Sequence, residues 1–203
     1  MTAKIRLHGV PLSGHTHKVE LFLRLLGLEF EYVTAPRETW ATDAFARLNP
    51  LRQIPVLEDG ELVLADSNAI LVYLAKRYDP QGGWLPDDAA GAAQVQRWFS
   101  ISAGEVRYGP ATARIIKLMG RPGDLEAAQA IARNLLDVME RRLAEADWLV
   151  GHRITLADIA CYPYLACAPE GGVDLAAYPA VRARLARVEA QPGVKPMPSA
   201  VAA

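Results

Sequence analysis

The sequence predicts an α/β unit of order βαβαββα followed by an all-helical unit. Two observations support this prediction: strand-like stretches occur only within residues 1–78, and only helical periodicity follows from residue 89 onward. Residues 79–88 (DPQGGWLPDD) are rich in Pro and Gly and have little periodicity, which is typical of a linker. We therefore expect two domains, 1–78 and 89–203, joined by the linker 79–88.

The first elements form the beginning of a βαβ unit. Residues 4–8 alternate between polar and apolar side chains, which predicts a strand. Apolar residues then recur at helical spacing over 19–26, and Gly27 closes that helix. Residues 30–33 supply a second extended stretch, and the polar or mixed residues after it end at Asn49-Pro50, which breaks any helix there.

A hairpin and a further helix complete the first domain. Asp59-Gly60 lies between two short apolar runs, 54–57 and 62–64, and this pattern is a strong signal for an antiparallel hairpin. Asp66-Ser67 then begins a helix, because Asp and Ser side chains accept hydrogen bonds from the first free amides of a helix. The order of the first domain is therefore βαβαββα.

The second domain is predicted to contain long helices over 89–119 and 125–145 and shorter ones beyond Thr155. Pro110 should kink the first of them. Thr155 and Asp158 have the spacing of a capping box, with Asp in place of the usual Glu, and we interpret them as structural.

Composition and charge exclude several classes of partner. Hydrophobic residues make up 51% of the 203, enough for a sizeable core, and the net charge of -1 gives no field that would attract nucleic acid or an anionic membrane. Cys161 and Cys167 form neither a CxxC pair nor a cluster with histidines, so no metal site is predicted, and this usage fits a reducing compartment. There is no signal-peptide layout and no apolar run of about 20 residues, so we expect a cytoplasmic protein without membrane or nucleic-acid partners.

Ser13 lies directly before the first helix, where free amides favour an anion. A hydroxyl there can donate to a thiolate, and such a bond, worth roughly 1.5–3 kcal/mol, lowers a thiol pKa of about 8.5 by about 1–2 units. From spacing alone, the simpler interpretation is that Ser13 only caps the helix. His15 and His17 could also suggest a nucleophile with its base or a metal site, but no nearby carboxylate orients them and both should lie at an exposed helix start.

Two other pairs could contact an extended ligand. Pro55 is awkward at the start of a strand, and a cis Ile54-Pro55 bond would explain it, although most X-Pro bonds are trans. A cis bond would turn the backbone toward a ligand that pairs with it as an added strand. Asp66 could hold an ammonium and Ser67 a carboxylate, as at the end of an amino acid, but an ordinary helix cap is the simpler interpretation.

Together these segments resemble the cytosolic glutathione S-transferases over nearly the whole chain. SGHTHKV followed by an apolar helix is similar to the start of the serine-type classes, including the theta- and phi-like ones. Residues 48–78 resemble the glutathione-binding segment of the family, and GHRITLADIACYPYL, residues 151–165, resembles the folding motif of its helical domain. The resemblance implies a thioredoxin-like first domain, an all-helical second domain, glutathione as co-substrate and a homodimer.

The resemblance also implies roles for individual residues. Ser13 would stabilise the glutathione thiolate, and Ile54 would pair with the cysteinyl group before a cis Pro55. The γ-glutamyl end would be held by Asp66 and Ser67, with Gln53 beside them.

One position departs from the family pattern. Phi-type enzymes carry a basic pair that meets the glycine carboxylate, and that place holds Trp40 and Ala41 here. Trp40 therefore stays a candidate for glutathione binding, and Arg37, His15 or Arg52 could substitute for the missing basic pair.

The resemblance favours a glutathione transferase, in which the Ser13-stabilised thiolate attacks a small electrophile. A serine cannot form the mixed disulfides of the cysteine-type relatives. The acceptor should bind between the domains, near residues 105–110, where Arg107 and Arg114 could receive an anionic acceptor or could simply be solvated. The alternatives are a noncatalytic module of the same fold that binds ligands or proteins, and a glutathione-dependent isomerase, dehalogenase or peroxidase.

Overall fold

The computed structural model describes residues 5–200. The first domain has the predicted βαβαββα order, and two short helices occupy the stretch between its second and third strands. The elements of this domain are β1 (Ile5–Gly9), α1 (Gly14–Leu25), β2 (Phe30–Thr34), α2 (Arg37–Trp40), α3 (Asp43–Leu48), β3 (Val56–Asp59), β4 (Leu62–Ala65) and α4 (Ser67–Tyr78). Lys4, predicted to begin the first strand, lies outside the described residues.

Every regular element after α4 is helical within the described residues, so the predicted fold class is confirmed. The long helix predicted over 89–119 is continuous, but its middle ten residues, which include Pro110, form a π-helix. We call Ser102–Ala111 the π segment. The other elements are α5 (Ala89–Ile101), α6 (Thr112–Met119), α7 (Leu125–Ala144), α8 (Leu156–Ala166), a 3₁₀ turn (Ala168–Gly171) and α9 (Pro179–Glu189).

The sheet brings three chain segments to one edge. Its strand order is β2-β1-β3-β4, with β1 parallel to β2 and antiparallel to β3, and β3 antiparallel to β4. Val56, the first residue of β3, pairs with His8 on one side and with Ala65 on the other. The segments that follow β1, precede β3 and follow β4 are therefore neighbours.

One continuous hydrophobic core joins the two domains. Fully buried side chains of the first domain, such as Phe22 and Leu71, belong to the same cluster as Leu136 and Leu156 of the second. This shared core fixes α1 against α8, so residues of both domains can contribute to a rigid site. No helix within residues 5–200 combines the length and apolar content that a bilayer crossing requires.

A buried ion pair holds the start of α8. The Asp158 carboxylate accepts hydrogen bonds from the Thr155 backbone N–H at 3.0 Å and the Leu149 backbone N–H at 3.1 Å, and the predicted capping box is present. It also accepts a bond from Nε of Arg184 at 3.0 Å, and both charged side chains are completely buried. The sequence motif at Thr155 is therefore a structural device that also anchors α9.

Candidate functional site

Ser13 is the N-cap of α1 and is half-buried. Its Oγ accepts a hydrogen bond from the Thr16 backbone N–H at 3.2 Å. This bond uses the oxygen only as an acceptor. The Ser13 hydroxyl also hydrogen-bonds the Tyr164 hydroxyl of the second domain, and a ligand sulfur would replace Tyr164 as its acceptor. Capping and thiolate stabilisation are therefore compatible roles for the same side chain.

The Ile54-Pro55 peptide bond is cis. It lies directly before β3, at the edge of the sheet where β1 ends and α1 begins. Gln53 is exposed, and its backbone carbonyl accepts a hydrogen bond from the Asn49 side chain at 2.8 Å. The loop is thus held by Asn49, which leaves the Gln53 side chain open to solvent.

Asp66 and Ser67 begin α4 at the same edge. Asp66 has φ of +71°, a backbone conformation uncommon outside glycine and often found at functional sites. Its Oδ1 accepts hydrogen bonds from the backbone N–H groups of Asn68 and Ala69, both at 2.9 Å. Asp66 is exposed and its second carboxylate oxygen takes no part in these bonds, whereas Ser67 is buried.

His15 links the two serines. Its Nδ1 lies 3.4 Å from Oγ of Ser67, and it follows Ser13 by two residues on α1. His15 therefore connects the start of α1, which Ser13 caps, with the start of α4. Burial, reinforced by the positive charges of Lys18 and Arg107, holds the pKa of His15 well below its ordinary value, so the ring is neutral at pH 7.

The expectation that both histidines lie exposed at the start of α1 is wrong. His15 is half-buried, and His17 is 3% exposed in the core beside Tyr162. The second domain packs over this helix start and covers it.

Tyr164 of α8 brings the second domain to Ser13, a role that sequence reasoning missed. Its ring packs edge-on against His15, with centroids 5.1 Å apart, and a Cβ on Gly14 would lie 2.8 Å from a ring carbon. Burial raises the pKa of Tyr164, while hydrogen bonding of its hydroxyl with the His15 backbone N–H and the Ser13 side chain opposes that rise. The available signal was a second tyrosine in the CYPYL end of the helical-domain motif.

Comparison with known proteins identifies the family. Residues 12–77 match the family model described as glutathione S-transferase, N-terminal domain, and residues 115–192 match the one described as glutathione S-transferase, C-terminal domain. The chain belongs to the glutathione S-transferase family. Glutathione S-transferase 3 of Zea mays is 33% identical to it over 98% of this chain and 95% of the maize protein.

Solved glutathione S-transferase structures share the whole fold of this family member. A glutathione S-transferase from Pseudomonas fluorescens has a TM-score of 0.89 at 34% identity and covers 96% of this chain and 99% of its own. A glutathione transferase homolog from Drosophila mojavensis, solved with bound glutathione, has a TM-score of 0.82 at 26% identity and covers 94% and 89%. The resemblance inferred from the sequence is therefore confirmed.

In this glutathione S-transferase, two of the side chains predicted to meet the glycine end of glutathione already have hydrogen-bond partners. The Trp40 indole N–H donates to the Ala35 carbonyl at 2.6 Å, so Trp40 supports the loop. The Arg52 guanidinium donates to the Thr42 carbonyl at 2.9 Å and pairs with Asp43 at 3.0 Å. Arg37 is exposed, and no residue within 5–200 bonds its side chain.

Arg107 and Arg114, which were predicted to lie near the electrophilic acceptor in this glutathione S-transferase, differ in environment. Arg114 is neither solvated nor open to an acceptor: it is 3% exposed, pairs with Glu170 at 2.5 Å and donates to the Leu12 carbonyl at 2.7 Å. It therefore holds the loop that precedes Ser13. Arg107 is exposed beside Tyr108, and its charge reaches both His15 and Tyr164.

Proposed function

We propose that the chain is a glutathione transferase in which Ser13 stabilises the thiolate of bound glutathione and that thiolate attacks a small electrophile. The observation that supports this most directly is the arrangement at the edge of the sheet. The Ser13 hydroxyl, the cis Ile54-Pro55 bond and the Asp66-Ser67 helix start come from three separate segments and meet there. Family membership makes glutathione the ligand of choice for this arrangement.

Glutathione would lie across this edge with its cysteinyl backbone paired to Ile54, as an added strand. Its ammonium would meet the open carboxylate oxygen of Asp66, and its α-carboxylate would meet the hydroxyl and backbone N–H of Ser67 at the start of α4. Gln53 lies beside that end of the ligand. We assign the glycine carboxylate to Arg37 at the start of α2. Its guanidinium is exposed, and no residue within 5–200 bonds its side chain.

Ser13 would act by donating a hydrogen bond to the ligand sulfur, in place of its bond to the Tyr164 hydroxyl. A hydrogen bond to a charged group contributes about 1.5–3 kcal/mol, which lowers a thiol pKa of about 8.5 by about 1–2 units. The thiol pKa then falls to about 6.5–7.5, so a substantial share of the bound glutathione is thiolate at neutral pH. Its sulfur lone pair forms the new bond to carbon, and the leaving group departs with the bonding electrons.

Arg107 gives the acceptor side a positive charge. It is exposed on the π segment, near both His15 and Tyr164. A small electrophile that carries or develops negative charge would be oriented by this guanidinium. We further propose a cytoplasmic location, because Cys161 and Cys167 are free thiols.

Replacing Ser13 by alanine is expected to lower kcat/KM for conjugation of an aryl halide about 10–100-fold, the equivalent of the lost hydrogen bond. The thiolate absorbance of bound glutathione at neutral pH should fall with it. Thr42→Ala is the matched control, because Thr42 caps α3 by accepting from the Phe45 N–H at the same 3.2 Å. This control should lose about 1 kcal/mol of stability and keep its thiolate signal.

Two outcomes would count against the proposal in different ways. A wild-type protein that neither binds glutathione nor shows a thiolate would be a noncatalytic member of the family. Full conjugation by Ser13→Ala would leave the transferase activity intact and remove the role of Ser13.

We also propose that the chain forms a homodimer through the groove of about 320 Å³ between α4 and α5, whose lining combines the apolar Ala69, Val72, Phe99 and Ala103 with Asp66, Asn68, Gln96 and Ser100. Val72→Glu should convert a dimer into a monomer, because a carboxylate buried in an apolar interface is strongly disfavoured. Light scattering after gel filtration would report the mass. Val138→Glu is the control, since Val138 is 42% exposed on α7, and it should leave the mass unchanged. A wild-type monomer would contradict the proposal.

A further inference from the structure

Lys18 is a cation buried where the two domains meet. Its side chain lies on α1 with 1% exposure. The ammonium donates to Oδ1 of Asn68 on α4 and to Oγ of Ser102 at the start of the π segment, both at 3.0 Å. Ser102 in turn donates to the Ala160 carbonyl of α8 at 2.9 Å. Lys18 therefore contacts α4 and the second domain with one group.

Both acceptors of Lys18 are neutral, and within residues 5–200 no carboxylate forms an ion pair with it. Buried ammonium groups are normally paired, because burial strongly disfavours an isolated charge. Burial accordingly lowers the pKa of Lys18 to about 8, with the Cys161 thiol and Asp66 acting in the opposite direction. Burial also raises the pKa of Cys161 to about 11, so at pH 8 its thiol supplies no negative charge.

The remaining anion that faces Lys18 is Asp66, at the ligand-binding start of α4. Lys18 holds the Asn68 side chain, and the Asn68 backbone N–H donates to Asp66 Oδ1 at 2.9 Å. Ser67 lies between these two residues. A carboxylate bound at Ser67 would thus lie at the start of α4, next to Asn68, whose side chain is held by the Lys18 ammonium.

We propose that Lys18 is a positioning residue whose buried charge strengthens binding of the γ-glutamyl α-carboxylate of glutathione. This inference rests on the proposed function. Two consequences follow from the chemistry. The affinity should fall as the pH rises through about 8, because Lys18 loses its proton there. Binding at pH 8 should take up protons, because the bound carboxylate favours the charged form of Lys18.

The direct test compares two ligands by titration calorimetry at pH 7. One is S-methylglutathione, whose blocked thiol removes any contribution from Ser13. The other is the same molecule with a 4-aminobutyryl group in place of the γ-glutamyl group, so that only the α-carboxylate is missing. Lys18→Met should weaken S-methylglutathione about tenfold, the size expected for charges several ångströms apart in a protein interior, and should weaken the analogue less than twofold. Lys18→Arg, which keeps the charge, should bind like the wild type.

Equal weakening of both ligands by Lys18→Met would show that Lys18 only supports the fold, and would overturn this inference while leaving the role of Ser13 intact. Failure of the wild type to bind either ligand would overturn the proposed function and this inference with it.

A second measurement does not require a variant that removes the buried charge of Lys18. Binding of S-methylglutathione to the wild type at pH 8, measured in two buffers of different ionisation enthalpy, should take up at most about half a proton more than binding to Lys18→Arg, because about half of the free wild-type Lys18 is unprotonated there. His15 is already neutral at this pH and adds nothing to the difference. Equal proton uptake by the two proteins would overturn the inference even if Lys18→Met did not fold.

Discussion

Replacing Asp158 by alanine is expected to destabilise the protein by about 3–5 kcal/mol, because it leaves the completely buried Arg184 without its counter-charge. The change also removes the acceptor for the Thr155 and Leu149 backbone N–H groups at the start of α8. A loss of this size is a large share of the roughly 5–15 kcal/mol by which domains are stable. Chemical denaturation followed by circular dichroism would measure it.

Two further variants separate the charge from the cap. Asp158→Ala combined with Arg184→Met should cost less than the sum of the two single changes, because the double variant leaves no unpaired charge. Asp147→Ala is the exposed counterpart: Asp147 pairs with Arg187 at 3.3 Å, its side chain is 76% exposed, and its loss should cost at most about 1 kcal/mol. Additive costs for Asp158 and Arg184 would show that their charges are not coupled.

Acid is expected to destabilise the protein through His17. Burial lowers the pKa of His17 to about 4, against an ordinary value of 6.5. His17 is therefore protonated below about pH 6.5 in the unfolded chain, but only below about pH 4 in the folded chain. The stability due to neutral His17 is complete above pH 6.5 and is lost as the pH falls to about 4, a change of about 3 kcal/mol. His15, whose pKa is also lowered, acts in the same direction.

The contribution of His17 can be isolated by counting protons. Denaturation between pH 7 and pH 4.5 gives the number taken up on unfolding, and His17→Phe should reduce it by about one near pH 5. The replacement ring keeps the packing against Tyr162 and adds no polar atom at the unpartnered Nε2 position, although it removes the hydrogen bond of the ring to the Lys195 backbone. His152→Phe, at an exposed turn, is the control for the loss of an imidazole ring. The same pH dependence in wild type and His17→Phe would refute this assignment.

Local patterns in the sequence predicted most of the fold. The Asp59-Gly60 turn and the capping box at Thr155 each depend on residues close together in sequence. Both can therefore be recognised without knowledge of the tertiary structure. The π segment was missed because apolar spacing does not distinguish it from an α-helix. The predicted order has one helix between β2 and β3, and its division into two short helices was missed because this stretch is mixed and weakly periodic.

The parts of the site that sequence reasoning missed depend on contacts between the domains. Tyr164 is 151 positions from Ser13, and Lys18 is 84 positions from Ser102. No spacing rule connects residues so far apart. For the same reason Arg114 could be taken for a surface arginine, although its partners Leu12 and Glu170 lie on different elements.

The π segment has a consequence for how specificity can be compared among relatives. Buried residues recur at every fourth position along the π segment and the start of α6, namely Ser102, Val106, Pro110 and Arg114. In a straight α-helix such a row would rotate by about 40° at each step, and its ends would face different directions. Ten residues of this stretch are π-helical, and their different number of residues per turn changes the rotation from step to step. The Ser102 side chain accepts from Lys18 and the Arg114 side chain donates to the Leu12 carbonyl, so this stretch contacts the chain on both sides of Ser13. Acceptor-facing positions in other family members should therefore be matched by superposition, since counting along an ideal helix would assign Arg107 and its neighbours to the wrong side.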